Sequence, residues 1–199
     1  IAKFKAGGDE PWRVPLASAC DKDEFEVIES RGNGAAASGK KDKKRKQEDS
    51  DEEEEILITG MEGTWYLDRA KGQWTSSLVA KPFGGEVRDG KDASGKYFVT
   101  TIEPRHGSVV ACYLKRDGNW KRVQLDDSLK DGHALGTGDF LGLGYDQIVA
   151  GWRAMRPSGA PGLKLYFPKD KTFEQWSEHK LSGKEVAVED LKVADLDGD

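Results

Sequence analysis

The sequence predicts an all-β fold, specifically a fragment of a β-propeller, and three observations carry that prediction. The first is a repeated pattern: an apolar strand with an aromatic residue, a polar turn, then Trp and an apolar residue five positions later. Its copies contain Trp74, Trp120 and Trp176, which are 46 and 56 residues apart. Strand-forming repeats at roughly this spacing are typical of propeller blades.

The second observation is a succession of short runs rich in β-branched and aromatic residues, broken by Gly, Asp, Asn and Pro, without helical periodicity. The third is a loop containing Asp92, Asp139 or Asp195, which follows an additional strand at the start of each repeat. Together they predict about three four-stranded blades. The other predicted strands span 56–59, 64–67 and 73–79, then 97–102, 108–114 and 120–125, then 147–152, 162–167 and 173–181.

The chain divides into three parts. Residues 1–35 are poorly patterned and are expected to include part of a preceding blade, with a weak strand signal at 24–28. Residues 36–55 hold a basic run followed by an acidic run, which predicts a disordered charged insertion. A nuclear-localisation-like cluster or an interaction tail is the alternative. Residues 56–199 contain the blades, and we expect them to be a truncated piece of a longer protein.

Composition excludes several classes of function. The net charge of -5 argues against a general affinity for nucleic acid, and no apolar run approaches the length of a membrane span. Two cysteines are too few for a disulfide scaffold, and Cys112 is expected to be a small buried apolar residue.

The last Asp loop has the composition of a calcium site. Asp195, Asp197 and Asp199 alternate with Leu196 and Gly198, so a tight turn would direct three hard oxygen ligands inward, which suits Ca²⁺. The alternative is a polar turn that uses Asp and Gly for geometry alone. In the preceding loop Leu141 and Leu143 replace the second and third carboxylates. We expect those leucines to pack where a cation would sit.

A second candidate site comes from aligning the repeats. Six residues before the three equivalent aspartates stand Glu86, His133 and Glu189. In a propeller the first strand of each blade lines the central channel, so these side chains are predicted to converge. Carboxylate and imidazole groups suit a divalent metal such as Zn, Mn, Mg or Fe, or an acid/base pair. The alternative is an ordinary polar channel lining.

A third candidate is the loop at 103–107, where Glu103, Arg105 and His106 occur together. We expect it to face the same channel mouth as His133, with His106, His133 and Glu103 as catalytic candidates. Arg105 and Arg153 are candidates to bind carboxylate or hydroxyl groups of a substrate. The alternative is a charged surface loop.

These motifs resemble a known family. The runs 103–107, 120–127, 132–135, 139–151 and 188–199 are similar to the FG-GAP/VCBS-type repeat propeller of bacterial proteins related to the propeller domain of aldos-2-ulose dehydratase/isomerase. The resemblance implies a seven-bladed ring, metal ions, a cupin domain elsewhere in the full-length chain and a secreted or periplasmic location. It also implies metal-binding or active-site roles for His106 and His133.

Two functions follow as expectations. The first is a metal-dependent lyase that dehydrates and isomerises 2-keto sugars, with Glu86, Glu189 or His133 removing the proton beside the carbonyl. The second is a non-catalytic, calcium-stabilised propeller that binds carbohydrate or protein. A third option, an EF-hand-like or dockerin calcium module at the C-terminus, conflicts with the strand repeats before Asp195.

Overall fold

The computed structural model describes residues 26–29, 54–71, 73–81, 84–154, 159–183 and 186–196. In these residues the fold is all-β, as predicted: twelve strands form three four-stranded antiparallel sheets, which do not close into a barrel. Within the same residues, no helix is long and apolar enough to cross a membrane.

Each sheet is a meander in which every strand pairs with the next one along the chain. Short turns suffice for such antiparallel neighbours. Sheet A contains β1 (Glu26–Glu29), β2 (Glu54–Gly60), β3 (Gly63–Ala70) and β4 (Gln73–Ala80). Sheet B contains β5 (Glu86–Lys91), β6 (Tyr97–Glu103), β7 (Val109–Arg116) and β8 (Asn119–Asp126). Sheet C contains β9 (Gly132–Gly138), β10 (Gln147–Trp152), β11 (Gly162–Pro168) and β12 (Trp176–Ser182).

The predicted strands from residue 56 onward agree with these bounds to within a few residues. The largest difference at a strand start is in the last strand, because Phe173 lies in a turn with a φ of 63° and β12 begins at Trp176. The strand signal at 24–28 corresponds to β1, which pairs with β2 and therefore belongs to sheet A. The predicted disordered insertion at 36–55 ends too late, since Glu54 and Glu55 are in β2; its remaining residues lie outside the described ones.

Two apolar cores lie between the sheets. On β6, Phe98 and Ile102 belong to the core shared with sheet C, whereas Val99 belongs to the core shared with sheet A. This alternation follows from the two-residue period of a strand. Because both faces of sheet B are covered, β6 is buried along almost its whole length.

The repeated Trp residues pack between sheets. Trp120 of sheet B contacts Tyr66 of sheet A with ring centroids 6.3 Å apart, and Trp176 of sheet C contacts Phe98 of sheet B at 6.2 Å. The two copies therefore make the same kind of contact with the preceding sheet. Both residues therefore contribute to the packing between neighbouring sheets.

The first strands of sheets B and C lie side by side. The Thr137 hydroxyl of β9 donates a hydrogen bond to the Asp89 carbonyl of β5. Beyond it, the Lys91 amide donates to the Asp146 carboxylate over 2.7 Å, and the Asp146 amide donates to the Lys91 carbonyl over 2.9 Å. These bonds hold the last residues of β5 against β9 and the loop that follows it. The two strands therefore run side by side, and both begin at the same end of the molecule.

The Asp loops form hydrogen-bonded turns. The Asp92 carboxylate accepts bonds from the Ser94 and Lys96 amides, and the Asp139 carboxylate accepts from the Leu143 and Gly144 amides over 2.8 and 2.7 Å. Leu141 and Leu143 are each 47% exposed, so the expectation that they pack in place of a cation is wrong. The Asp139 carboxylate itself fills the centre of that turn, which leaves the leucines pointing outward.

Candidate functional site

Two histidines from different sheets meet at the end where β5 and β9 begin. His106 lies in the β6–β7 loop and His133 is the second residue of β9. Their ring centroids are 4.4 Å apart and their planes are inclined by 45°. The side chains are 35% and 22% exposed, so both keep contact with solvent. They form the centre of a polar cluster, called the rim cluster below, that contains Glu86, His106, Asp131, His133, Arg153 and Glu189.

Backbone contacts fix the loop that carries His106. The Gly132 amide donates to the Gly107 carbonyl over 2.9 Å. Gly85 lies against the same loop, and a Cβ at this position would lie 3.0 Å from the backbone nitrogen of His106. His106 itself has a φ of 52°, and Asp131 has a φ of 63°, both in the left-handed region that non-glycine residues rarely adopt. Such conformations persist where surrounding bonds hold them, and they concentrate at functional sites.

Arg153 connects the cluster. Its Nε and Nη2 donate to the two Asp131 carboxylate oxygens over 3.0 and 3.3 Å, a bidentate arrangement of planar groups. Its Nη1 lies 3.1 and 3.0 Å from the two Glu189 oxygens. The Asp131 bonds, followed by those of Glu189, raise the pKa of Arg153 against the effect of its own desolvation. Every guanidinium nitrogen is thus used within the protein.

The hydrogen-bond partners of His133 determine its tautomer. Its Nδ1 lies 2.9 Å from the backbone carbonyl oxygen of Glu189. A carbonyl only accepts, so Nδ1 carries the proton and donates it. The carboxylates of Glu86 and Glu189 also face Nδ1, at 4.0 and 3.8 Å. In the neutral ring, Nε2 is consequently the unprotonated nitrogen.

His106 has the opposite arrangement. The Arg153 Nη2 lies 3.3 Å from the His106 Nδ1, nearer than the Asp131 carboxylate at 3.6 Å. A guanidinium only donates, so we assign Nδ1 as the acceptor and Nε2 as the nitrogen that carries the proton. Burial lowers the pKa of His106, and the neighbouring His133 and Arg153 lower it further, which favours the neutral ring. Among the described residues, neither histidine's Nε2 has a hydrogen-bond partner.

The structure brings most of the predicted residues together but places Glu103 elsewhere. Its carboxylate is buried on the sheet A side of β6, where it accepts bonds from Thr101, Tyr113 and Arg122. His106 lies on the opposite side, towards sheet C. A catalytic role for Glu103 in the rim cluster therefore has no support from its position.

The remaining predicted residues are not members of the rim cluster. Arg105 is exposed beside His106, close enough to lower its pKa further. Asp195 is exposed, in a segment (186–196) that contains no strand. Asp197 and Asp199 fall outside the described residues, so the calcium-type loop stays a prediction.

A divalent metal fits the rim cluster poorly. The carboxylates face the His133 nitrogen that already donates to the Glu189 carbonyl, and Arg153 places a positive charge on Glu189. In the part of the chain that the structure describes, no three His, Cys, Asp or Glu residues are grouped to hold a metal ion. Metal binding by His106, His133, Glu86 and Glu189 stays a prediction, and the chemistry below uses the side chains alone.

Asp131 is the member of the cluster that the sequence reasoning missed. It stands just before β9 with a φ of 63°, so the alternation of side chains along a strand does not place it. Its link to Arg153 depends on the tertiary structure.

No protein-family model matches the chain, and a search of curated proteins found no match. The motif resemblance therefore remains an expectation about fold and activity.

Proposed function

We propose that the three sheets are blades of a β-propeller and that the rim cluster catalyses proton transfer beside the carbonyl of a 2-keto sugar, as in a sugar dehydratase/isomerase. Three features support the propeller arrangement: the shared meander order of the sheets, the contact of β5 with β9, and the repeated Trp contacts to the preceding sheet. The observation that carries the chemistry is the pair of Nδ1 contacts, His133 to a carbonyl and His106 to a guanidinium, which assign opposite tautomers to the two stacked rings.

The tautomers define complementary roles. His133 presents an unprotonated Nε2, which suits a general base, and His106 presents an N–H at Nε2, which suits a general acid. Burial, His133 and Arg153 lower the pKa of His106, which favours its neutral ring. Hydrogen bonds to the Nδ1 atoms fix both rings, as in other sites where a third group orients the base.

The proposed reaction balances without a cofactor. The His133 Nε2 takes the proton from the carbon beside the carbonyl, and that C–H electron pair becomes the enediol double bond. The carbonyl oxygen takes the proton from the His106 Nε2. The carbonyl then reforms and returns that proton to His106, while the hydroxyl on the next carbon leaves with the proton held by His133, as water. Arg153 and Asp131 act as positioning residues.

The direct test is turnover of a 2-keto sugar such as anhydrofructose by the wild-type protein and the His133→Asn variant. The Asn amide keeps a donor towards the Glu189 carbonyl but lacks the Nε2 base. We expect kcat to fall by about 10²- to 10⁴-fold with the fold unchanged. His179, the third histidine of the chain, is exposed on β12, so His179→Asn is the matched control and should leave kcat unchanged.

A non-catalytic propeller that binds carbohydrate or protein and is stabilised by calcium is the second candidate. It is favoured by Asp195, which is exposed in the same register as the hydrogen-bonded Asp92 and Asp139 turns. This candidate predicts that calcium raises the melting temperature and that neither the wild-type protein nor His133→Asn turns over the sugar. If the wild-type protein binds the sugar but does not turn it over, the lyase proposal is wrong and this candidate stands.

A further inference from the structure

A pocket lies between sheets A and B at the end of the molecule opposite the rim cluster. It has a volume of about 530 Å³, which is in the range of small-molecule sites. β6 shows the separation: Tyr97, its first residue, lines the pocket, and the loop after its last residue carries His106. The residues that matter below are Glu55, Tyr66, Asp89, Tyr97, Lys115 and Trp120.

Aromatic rings form much of the wall. Tyr66 and Trp120 contact each other edge to face across the two sheets, with planes inclined by 63°. Tyr97 is 42% exposed although it is a large aromatic residue. Aromatic rings bury large apolar areas against flat partners. The pocket therefore offers apolar surface to a ligand that has an apolar face.

No other described residue donates a hydrogen bond to the Asp89 carboxyl group. Burial raises the pKa of its carboxyl group, and the only hydrogen bond to that carboxyl group in the described residues comes from its own backbone amide. A desolvated acceptor without an external donor is costly, and native structures usually satisfy such groups. A ligand hydroxyl that donates a hydrogen bond to the Asp89 carboxyl group would satisfy this acceptor.

The charged groups that line the pocket are of both signs: Glu55, Asp89 and Asp117 carry carboxylates, and Lys96 and Lys115 carry ammonium groups. The Lys115 ammonium group lies 5.5 and 5.6 Å from the Tyr66 and Trp120 ring centroids, so the protein's own cation occupies the site that these rings offer. A ligand cation would have to displace it. An anion would meet the carboxylates of Asp89 and Glu55, the latter bonded to the Tyr66 hydroxyl.

We propose that this pocket is a saccharide-binding site, separate from the rim cluster, that takes a neutral sugar unit. The apolar face of the sugar ring packs on Tyr97 and the Tyr66–Trp120 pair, and a hydroxyl donates to Asp89. Sugars combine an apolar ring face with many hydroxyl donors, which matches this lining. The site does not depend on turnover at the rim cluster.

The test is calorimetric titration of the full-length protein with three neutral trisaccharides: cellotriose, maltotriose and xylotriose. We expect at least one to bind with a dissociation constant near or below 1 mM. Tyr97→Ala and Asp89→Asn should each weaken that binding by roughly tenfold or more. Neither substitution removes a core contact, so both variants should fold.

Three controls keep the result specific. Phe140 is 41% exposed and does not line the pocket, so Phe140→Ala matches Tyr97→Ala in size and exposure and should bind like wild type. His133→Asn should also bind normally, which separates this site from the rim cluster. Phenyltrimethylammonium is the cationic probe and should not compete.

Each contrary result overturns the proposal. Absence of binding by all three trisaccharides at 20-fold above the expected dissociation constant (about 20 mM) would do so. Binding that survives both Tyr97→Ala and Asp89→Asn would place the sugar elsewhere. Competition by phenyltrimethylammonium would make the pocket a cation site.

Discussion

The imidazole rings of His106 and His133 stack with their centroids 4.4 Å apart, although 27 residues separate them in the chain and they belong to different sheets. Two charged imidazolium rings at that distance would repel each other. Arg153, bonded to the His106 Nδ1, adds to the cost of a second positive charge. The pair is therefore arranged to keep His106 neutral, and His133 donates its Nδ1 proton to the Glu189 carbonyl.

The lowered pKa of His106 gives a pH dependence of stability with a definite sign. Its contribution is complete above the unfolded pKa of about 6.5 and is lost as the pH falls through the lower folded pKa. We expect the free energy of unfolding of the wild-type protein to drop more between pH 7.5 and pH 5 than that of His106→Gln. Urea unfolding at the two pH values measures both drops, and equal drops would contradict the assignment.

Asp126 provides a second, independent test of the electrostatics. Lys164, Tyr166 and Ser128 all donate to its carboxylate, and these bonds hold its pKa at about 2 despite its burial. Its stabilisation is present above pH about 4 and is lost as the pH falls through about 2.

We therefore expect Asp126→Asn to cost about 2 kcal/mol of unfolding free energy at pH 7 and progressively less towards pH 2. The neighbouring Asp127 is exposed, so Asp127→Asn is the matched control and should change stability by less than about 0.5 kcal/mol. A loss that is the same at pH 7 and pH 2 would show that Asp126 acts through packing alone.

The packing of Trp between sheets predicts that replacing Trp176 lowers the free energy of unfolding more than replacing Trp74 does. Trp176 contacts Phe98 and Phe173 in the core between sheets B and C, so Trp176→Ala should cost about 3 kcal/mol or more. Trp74 has a described aromatic interaction with Arg69 of its own sheet, so Trp74→Ala should cost about 1 kcal/mol. Thermal unfolding of both variants measures the difference, and a larger loss for Trp74→Ala would reverse this interpretation.

Much of the fold was predictable because the repeats align. Strand periodicity located β2 to β4, and the spacing of the Asp loops brought Glu86, His133 and Glu189 into register. Those three side chains do meet, since the first strands of neighbouring sheets lie side by side. The position of a residue within its repeat can be read from the sequence, so the equivalence of these three residues was predictable.

The details of the site were not predictable from spacing. The side of the sheet on which Glu103 lies depends on strand register, and it shares the sheet A face with Val99 and Tyr113. Asp131 enters the cluster through a positive φ and through bonds to Arg153, which is 22 residues away. The aromatic pocket arises between two sheets, so no single repeat contains its pattern.

The tautomers of the two histidines are the central claim, and long-range ¹H–¹⁵N correlation NMR measures them directly. The chain has three histidines, and His179→Asn leaves the two of interest. At pH 7.5 we expect the Nδ1–H form for His133 and the Nε2–H form for His106. If both rings carry the proton on Nε2, or if His106 is charged at that pH, the acid/base assignment is wrong.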